Sequence, residues 1–518
     1  MELYTIIENF QPLNDERLLE KAQELRRPLR CTEVGPAGAC ILHQDEDGRL
    51  QREGLNLESA GSLALGRGQN LCLDFGNHFT GYLSLELAGE GSHPDAPAFL
   101  KLQLAEVFEE LLEDSSAYDG WLSRSWIQEE MIHVDVLPAH LRLPRRYAFR
   151  YVKITVLDTS PKYRLVVKGA KCLYETSADD SAIQLCSRPG TMEARIERVC
   201  LRTLANCMQD VFEDGPKRDR RLWLGDFRLQ ALADYSSFRN LDLVKRCLYL
   251  FAGTRFPDGR VSACVFTDPE PVADDTWFFD YSLFFPVTLE EYMEESGDTQ
   301  TLEDLYETAM QQIDLSLEKC TPDGLVQEEA GAAAFVDWCD GLDKRACAQA
   351  VLIYAMRYAI RLAERRRDKE KAQELRRQAD WLRESAMEHF WDPQEQCFVC
   401  GGQRAIATQV WMVLARVPSP EQARKLMEDS GRFLQPFRMA APYMHHYYTE
   451  ALMETGLKEQ AREHILSYWG SMVERGADTF WETWDPEDPE ASPYGGKIVN
   501  SYCHAWSCTP MIWLRSCR

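Results

Sequence analysis

The sequence predicts two regions of different class, an N-terminal β-sandwich followed by a closed toroid of paired helices. Hydrophobic residues alternate with period two from about Gly61 to Glu175, then recur with period 3.6 to the end of the chain. No fixed repeat length runs through the helical part, which favours a toroid over a helical superhelix. The period switches at Thr176–Asp180, so the expected domains are 1–180 and 181–518.

Residues 1–58 are weakly patterned, with one helical stretch near Asp15–Arg27. In Tyr151–Leu157 the residues Val152, Ile154 and Val156 share one face and polar groups share the other. Similar runs occupy Asn70–Phe75, Gly81–Leu87, Phe99–Leu104, Trp126–Val136 and Tyr163–Cys172, separated by Gly, Pro, Asn and Asp clusters. Short alternating strands with such loops predict a β-sandwich. Beyond them Ile196, Val199, Cys200, Leu204, Cys207 and Met208 form one helical stripe. Further helices are expected over 226–236, 241–252, 278–296, 300–318, 344–366, 369–390, 403–416, 419–430, 442–455, 457–473 and 500–515. Gly253, Gly297 and Gly456 are placed as C-terminal caps. About twelve helices in alternating pairs suit six inner and six outer helices.

The 518 residues carry a formal net charge of -25, with 83 acidic against 58 basic side chains. That balance disfavours nucleic acid and anionic membrane as partners and favours a neutral small-molecule substrate. The N-terminus lacks a basic segment followed by an apolar run, and no stretch of about 18 apolar residues occurs. A cytoplasmic location is therefore expected, with the 17 scattered cysteines reduced. Cys397-Phe-Val-Cys400 has metal or redox spacing, but no second CxxC or nearby His completes it. No metal and no cofactor is expected, since HExxH, GxSxG and phosphate-cradling glycine loops are all missing. Acidic helical toroids exist as monomers and homodimers alike.

The densest chemistry lies in Glu213-Asp214-Gly215-Pro216-Lys217-Arg218-Asp219-Arg220-Arg221-Leu222-Trp223-Leu224-Gly225-Asp226. Gly-Pro ends the preceding helix, so this is a loop. It combines four carboxylates, four cations and a tryptophan; a salt-bridge cluster explains the charges as well as a site does. A second segment, Asp478-Thr-Phe-Trp-Glu482-Thr-Trp484-Asp485, flanks a glutamate with tryptophans. It reads as a packed aromatic turn or as the floor of a sugar site, where indole faces stack on pyranose rings and shift a carboxyl pKa. Two carboxylate-rich, Trp-rich loops supply what glycoside hydrolysis needs: one group to protonate the leaving oxygen and another to activate water or attack. Asp274–Tyr281, with Asp280, and Phe335–Asp340, with Asp337 and Trp338, again pair Asp with Trp before a helix; N-capping explains them equally well. Asn500–Trp506 opens the last helix with His504, and the adjacent His445 and His446 point to different sides of theirs.

The Asp214–Asp226 loop resembles the signature loop of the α-L-rhamnosidases of glycoside hydrolase family 78. The Thr479–Trp484 turn, the Asn500–His504 segment and the Asp337–Trp338 pair resemble that family's other active-site loops, in the same order. The resemblance implies an (α/α)6 barrel, no metal, and hydrolysis with inversion. It places Asp219 in the general-acid segment and Glu482 at the general base. Asp214, Arg218 and Asp226 would hold sugar hydroxyls, Trp223, Trp338 and Trp484 would wall the sugar, and His504 would lie beside the base. Asp280 and Asp337 join the expected substrate-binding set. Asp219 would have to stay protonated near neutral pH through burial or neighbouring carboxylates.

One departure stands out. The commoner loop is one residue longer and carries Glu after the Asp, as the acid; here that place is Arg220, which cannot donate a proton usefully. Asp219 is expected to take the role, with Asp214 and Asp226 as alternatives. The reading that follows is removal of terminal α-L-rhamnose from small glycosides or oligosaccharides. Its rivals are a toroid acting on another deoxy sugar or an unsaturated uronic acid, and a non-catalytic sugar-binding protein, the last motivated by Arg220.

Overall fold

The computed structural model describes residue 7 and residues 10–44, 50–181 and 183–516. The β region is built on one long strand, Asn70–Gly91, which takes different neighbours along its two halves. Its first half pairs with Tyr147–Asp158, beyond which lie Ala98–Ala105 and Glu129–Val134. Its second half pairs with Tyr163–Thr176, which in turn carries Arg30–Val34 and Ala64–Leu65. The sheet thus bends into two layers over a shared core that includes Leu73, Leu85, Leu102, Ile154, Leu165 and Val167.

The expected strands 70–75 and 81–87 are therefore one element. Gly76, at φ 78°, and a register shift opposite Phe149 and Tyr151 supply the bend that the sequence break suggested. The expected Trp126–Val136 strand begins only at Glu129, because Arg124–Trp126 is a 3-10 turn. The weakly patterned start contributes Arg30–Val34 and Leu50–Leu55, whose exposure explains the weak pattern, and Gly38–Gln44, which buries Cys40 and Leu42.

The helical region closes on itself. Leu224–Tyr235, Phe279–Ser296, Arg345–Arg366, Ile406–Leu414, Pro442–Glu454 and the short Ala505–Cys508 turn each touch the next, and the last touches the first. Around this inner ring lie Met192–Cys207, Leu241–Gly253, Thr299–Leu317, Lys369–Phe390, Pro420–Glu428 and Lys458–Glu474. Burial separates the two sets. Outer Lys369–Phe390 buries a stripe through Ala372, Leu375, Ala379, Leu382 and Ala386, whereas inner Arg345–Arg366 is buried on nearly every side.

The N-terminal helix Glu16–Glu24, capped by Asp15, sends Leu18 and Ala22 into the helical core. Gly253 is accordingly not the expected cap. A Cβ there would lie 2.7 Å from Leu19 Cδ2, so its role is close packing of the Glu16–Glu24 helix. Gly297, at φ 64°, does cap its helix.

The expected helix over 500–515 is replaced by extended backbone at 500–504, the 3-10 turn Ala505–Cys508 and the helix Pro510–Ser516. Backbone groups there bond to other elements instead of to one another. Tyr502 N–H donates to Glu106 (2.6 Å), His504 N–H to the Phe480 carbonyl (2.8 Å), and Ser501 C=O accepts from Glu482 N–H (3.0 Å).

Gly297→Ala should cost about 1 kcal/mol through its left-handed backbone alone, since the added methyl meets open space. Urea unfolding of the variant checks this, and an unchanged midpoint would contradict it.

Candidate functional site

A cavity of about 300 Å³ opens at one end of the toroid. Its polar floor comes from Asp214, Arg218, Asp219, Asp226, Glu482 and His504, and its walls from aromatic side chains.

Asp214 N–H bonds the Arg221 carbonyl, and its carboxylate accepts Arg221 N–H (3.0 Å each), closing the loop on itself. Asp219 and Arg220 follow each other at φ 60° and 54°. Such left-handed geometry costs about 1 kcal/mol or more per non-glycine residue and is kept where surroundings over-determine it. It turns Asp219 into the cavity, while Arg220 runs the other way, toward Arg146 and Glu213. Gly215 is needed because a Cβ would lie 2.6 Å from Ser501 Oγ, and Gly225 because Tyr281 packs against it.

Glu482 is 4 % exposed. Arg218 pairs with its Oε2 and the Tyr494 hydroxyl donates to its Oε1, both closely. Burial raises the Glu482 pKa, with Arg218 and Tyr494 opposing that rise. Arg218 is fixed in turn by donating from Nε to the Val499 carbonyl (2.8 Å), and its Nη1 stands 3.9 Å from Asp219. One guanidinium therefore lies between the two carboxylates. Asp214 and Asp226 are buried without a full ion pair. Burial, and then neighbouring carboxylates, hold both pKa values well above the usual range. His504 sits 3.8 Å from Asp214 and 3.5 Å from Asp226, and burial keeps its imidazole neutral.

The wall is aromatic. Trp223 stacks on Phe278 at 6.3 Å, and Trp338 meets Phe335 edge-on at 5.5 Å and Tyr494 at 5.7 Å. Trp506 donates from Nε1 to the Glu482 carbonyl (3.0 Å). Trp121 and Trp126 of the β region line the mouth, together with Arg221 over the Phe266 ring (4.4 Å).

The β region also grips the floor from behind. Glu110 forms a buried ion pair with Lys217, whose Nζ also donates to the Asn500 carbonyl (2.9 Å). Burial raises the Glu110 carboxyl to about 7 despite Lys217. Arg146 pairs with Glu213 at 2.7 Å.

Residues 185–517 match the family model of the bacterial alpha-L-rhamnosidase 6 hairpin glycosidase domain, and residues 48–173 that of the glycosyl hydrolase family 78 alpha-rhamnosidase N-terminal domain. The chain belongs to the bacterial α-L-rhamnosidase family. It is thereby a glycoside hydrolase. Among solved structures, a rhamnosidase from Klebsiella oxytoca with rhamnose bound is 43% identical over 98% of this chain and 99% of its own, with a TM-score of 0.92. The GH78 rhamnosidase of Bacillus sp. GL1 shares the fold at 21% identity and a TM-score of 0.74, covering 90% of this chain and 49% of its own. The Streptomyces avermitilis α-L-rhamnosidase complexed with L-rhamnose does so at 16% and 0.67, over 94% and 44%. No curated protein sequence matches the chain.

Of the residues that the α-L-rhamnosidase resemblance singled out, Asp214, Arg218, Asp219, Trp223, Asp226, Trp338, Glu482 and His504 meet in the cavity. Asp280, Asp337 and Trp484 do not line it. Asp280 is fully buried beneath, accepting the N–H groups of Phe335 and Val336 (2.9 Å each). It fastens the loop whose Val336 sits at φ 56°. Asp337, which burial raises to about 7, accepts from Trp338 N–H (2.9 Å) and Ala440 N–H (2.7 Å). Trp484 gives its indole N–H to Ser471 (2.8 Å) and faces a groove behind the turn. All three support the loops that carry Trp338 and Glu482. Tyr494, Trp506, Tyr281, Phe278 and Phe335 line the cavity without having been singled out. Among the described residues no group of three or more His, Cys, Asp or Glu is placed to hold a metal ion.

Glu110→Gln should destabilise the protein by about 3 kcal/mol, because Lys217 stays buried without its counter-charge. Urea unfolding at about pH 9, where Glu110 is ionised, reads this; a loss below about 1 kcal/mol would show that the pair is dispensable.

Proposed function

We propose that this chain is an inverting, exo-acting hydrolase of terminal α-L-rhamnosides, with Glu482 as general base and Asp219 as general acid. The observation that carries the reading is the placement of Arg218 between those two carboxylates across one aromatic-walled cavity. An interposed guanidinium keeps the carboxylates from direct contact, as inversion requires if a water is to fit beside the sugar. Asp219 would give its proton to the glycosidic oxygen as the C1–O bond breaks. Glu482 would take a proton from water, whose oxygen attacks C1 from the opposite face. The products are β-L-rhamnose and the free aglycone.

The remaining polar groups suit a neutral sugar. Asp214 and Asp226, shifted by burial toward the protonated form, and a neutral His504 offer hydrogen-bonding groups of low charge. Trp338 and Trp223 offer apolar faces to a ring and its methyl group. Rhamnose as the sugar is supported by the 43% identical rhamnosidase that has rhamnose bound. The sugar-binding reading is not favoured, because the chain belongs to a glycoside hydrolase family and its 43% identical neighbour is a rhamnosidase with rhamnose bound. We further read 1–180 as the accessory domain and 181–518 as the catalytic domain. A cytoplasmic setting is supported by the sixteen described cysteines, none of which forms a disulfide.

A panel of p-nitrophenyl glycosides tests the substrate: release from the α-L-rhamnoside and not from other sugars is expected, and release from a different sugar alone would overturn the assignment. Glu482→Gln should lower kcat at least ~100-fold while rhamnose still binds; near-normal kcat would remove it as base. Asp219→Asn should spare the nitrophenyl substrate relative to an alkyl rhamnoside, because only the poorer leaving group needs the proton. Equal losses on both would shift the acid to Asp214 or Asp226.

A further inference from the structure

Tyr494 is 2 % exposed yet lines the cavity, where it touches Glu482, Arg218 and Trp338. Its hydroxyl donates to Glu482 Oε1, while Arg218 occupies Oε2. Its ring covers the Arg218 guanidinium at 4.1 Å and meets Trp338 edge-on. Two donors, one per oxygen, fix both the position and the roll of the carboxylate. Each oxygen keeps a second lone pair with which to take a proton from water.

The turn that carries Tyr494 is held largely from outside the toroid. Tyr118 donates its hydroxyl to the Tyr494 carbonyl (3.0 Å), and Trp121 donates its indole N–H to the Pro493 carbonyl (2.9 Å). Gly495 presses against Gly120 so closely that a Cβ would lie 2.9 Å from its Cα. Tyr118, Leu122, Tyr494, Ile498 and Val499 bury a small apolar cluster of their own. Within the toroid the turn has Ser492, whose hydroxyl accepts Tyr494 N–H (3.2 Å) and donates to Asn500 (2.6 Å).

We propose that Tyr494 is a positioning residue for Glu482, and that the 118–121 loop of the β region holds it in place. The β region thereby sets the geometry of the base. This rests on Glu482 being the base, as proposed above. The charged and titratable groups that face Glu482 are Arg218 and Asp219 from the loop, Asp226 from the Leu224–Tyr235 helix, and Tyr494 itself, with neutral His504 beside Asp226. Among them Arg218 and Tyr494 favour the ionised carboxylate.

A donor to the ionised form lowers a pKa, so its removal raises it. The acidic limb of kcat/KM, below which the base is protonated, should therefore move up by roughly one pH unit in Tyr494→Phe, with KM little changed. Tyr118→Phe reaches Glu482 only through Tyr494, and should move the same limb in the same direction by less. A Tyr494→Phe profile that superimposes on the unmodified enzyme's, whatever its height, would overturn the proposal. A shift in Tyr494→Phe without one in Tyr118→Phe would overturn the part assigned to the β region. If the unmodified enzyme ignores the α-L-rhamnoside, the substrate reading falls but this one does not. Glu482 can then be titrated by ¹³C NMR in Glu-labelled protein, assigned with Glu482→Gln, and the same upward shift is expected.

Discussion

A carboxylate and a guanidinium taken out of water each lose several kcal/mol of solvation, and the pairing of Arg218 with Glu482 is what makes their burial in one pocket tolerable. The neighbouring ionisable groups adjust to that pair. Asp214 and Asp226 lack a cation of their own, so burial and neighbouring carboxylates shift both toward the protonated form, and burial keeps His504 beside them neutral. The pocket thus holds one compensated charge pair, a partly open Asp219 and several hydrogen-bonding groups of low charge. That division suits a substrate which carries no charge until its glycosidic bond begins to break.

The pair is only as well placed as the chain that fixes it, and that chain is the 3-10 turn ending at Val499 with the run through His504 that follows it. Arg218 hangs on the Val499 carbonyl, Lys217 on that of Asn500 and the Glu482 amide on that of Ser501. The Tyr502 amide is taken by Glu106 of the β region. Backbone groups that a helix would have consumed internally serve here as the junction of three loops and two domains. This explains why the β region is fastened through buried carboxylates at Glu106 and Glu110 and not by apolar packing alone.

Hydrophobic period made both fold classes legible, since period two and period 3.6 survive whatever the loops do. It failed where other elements claimed the backbone, as at Asn500–His504, and where strand faces are solvated, as in Leu50–Leu55. The floor of the site was legible because Asp214–Asp226 and Thr479–Trp484 concentrate carboxylate and indole. Which way each side chain turns was not. Nothing in the spacing distinguishes Trp338, which faces the cavity, from Trp484, which gives its indole N–H to Ser471. Asp280 and Asp337 carry the same Asp-before-helix signature as a ligand-binding carboxylate, yet their partners are backbone amides. Tyr494 had only a Pro-Tyr-Gly-Gly turn to mark it, and its partner Tyr118 is 376 residues away.

As proposed, Glu482 directs water to the face of the sugar opposite Asp219, with Arg218 between them. The most direct test is to follow hydrolysis of an α-L-rhamnoside by ¹H NMR within the first turnovers, before mutarotation mixes the anomers. β-L-rhamnose is expected to appear first and the α-anomer only later. Initial release of α-L-rhamnose would require Glu482 or Asp219 to attack the sugar itself, and would contradict the account.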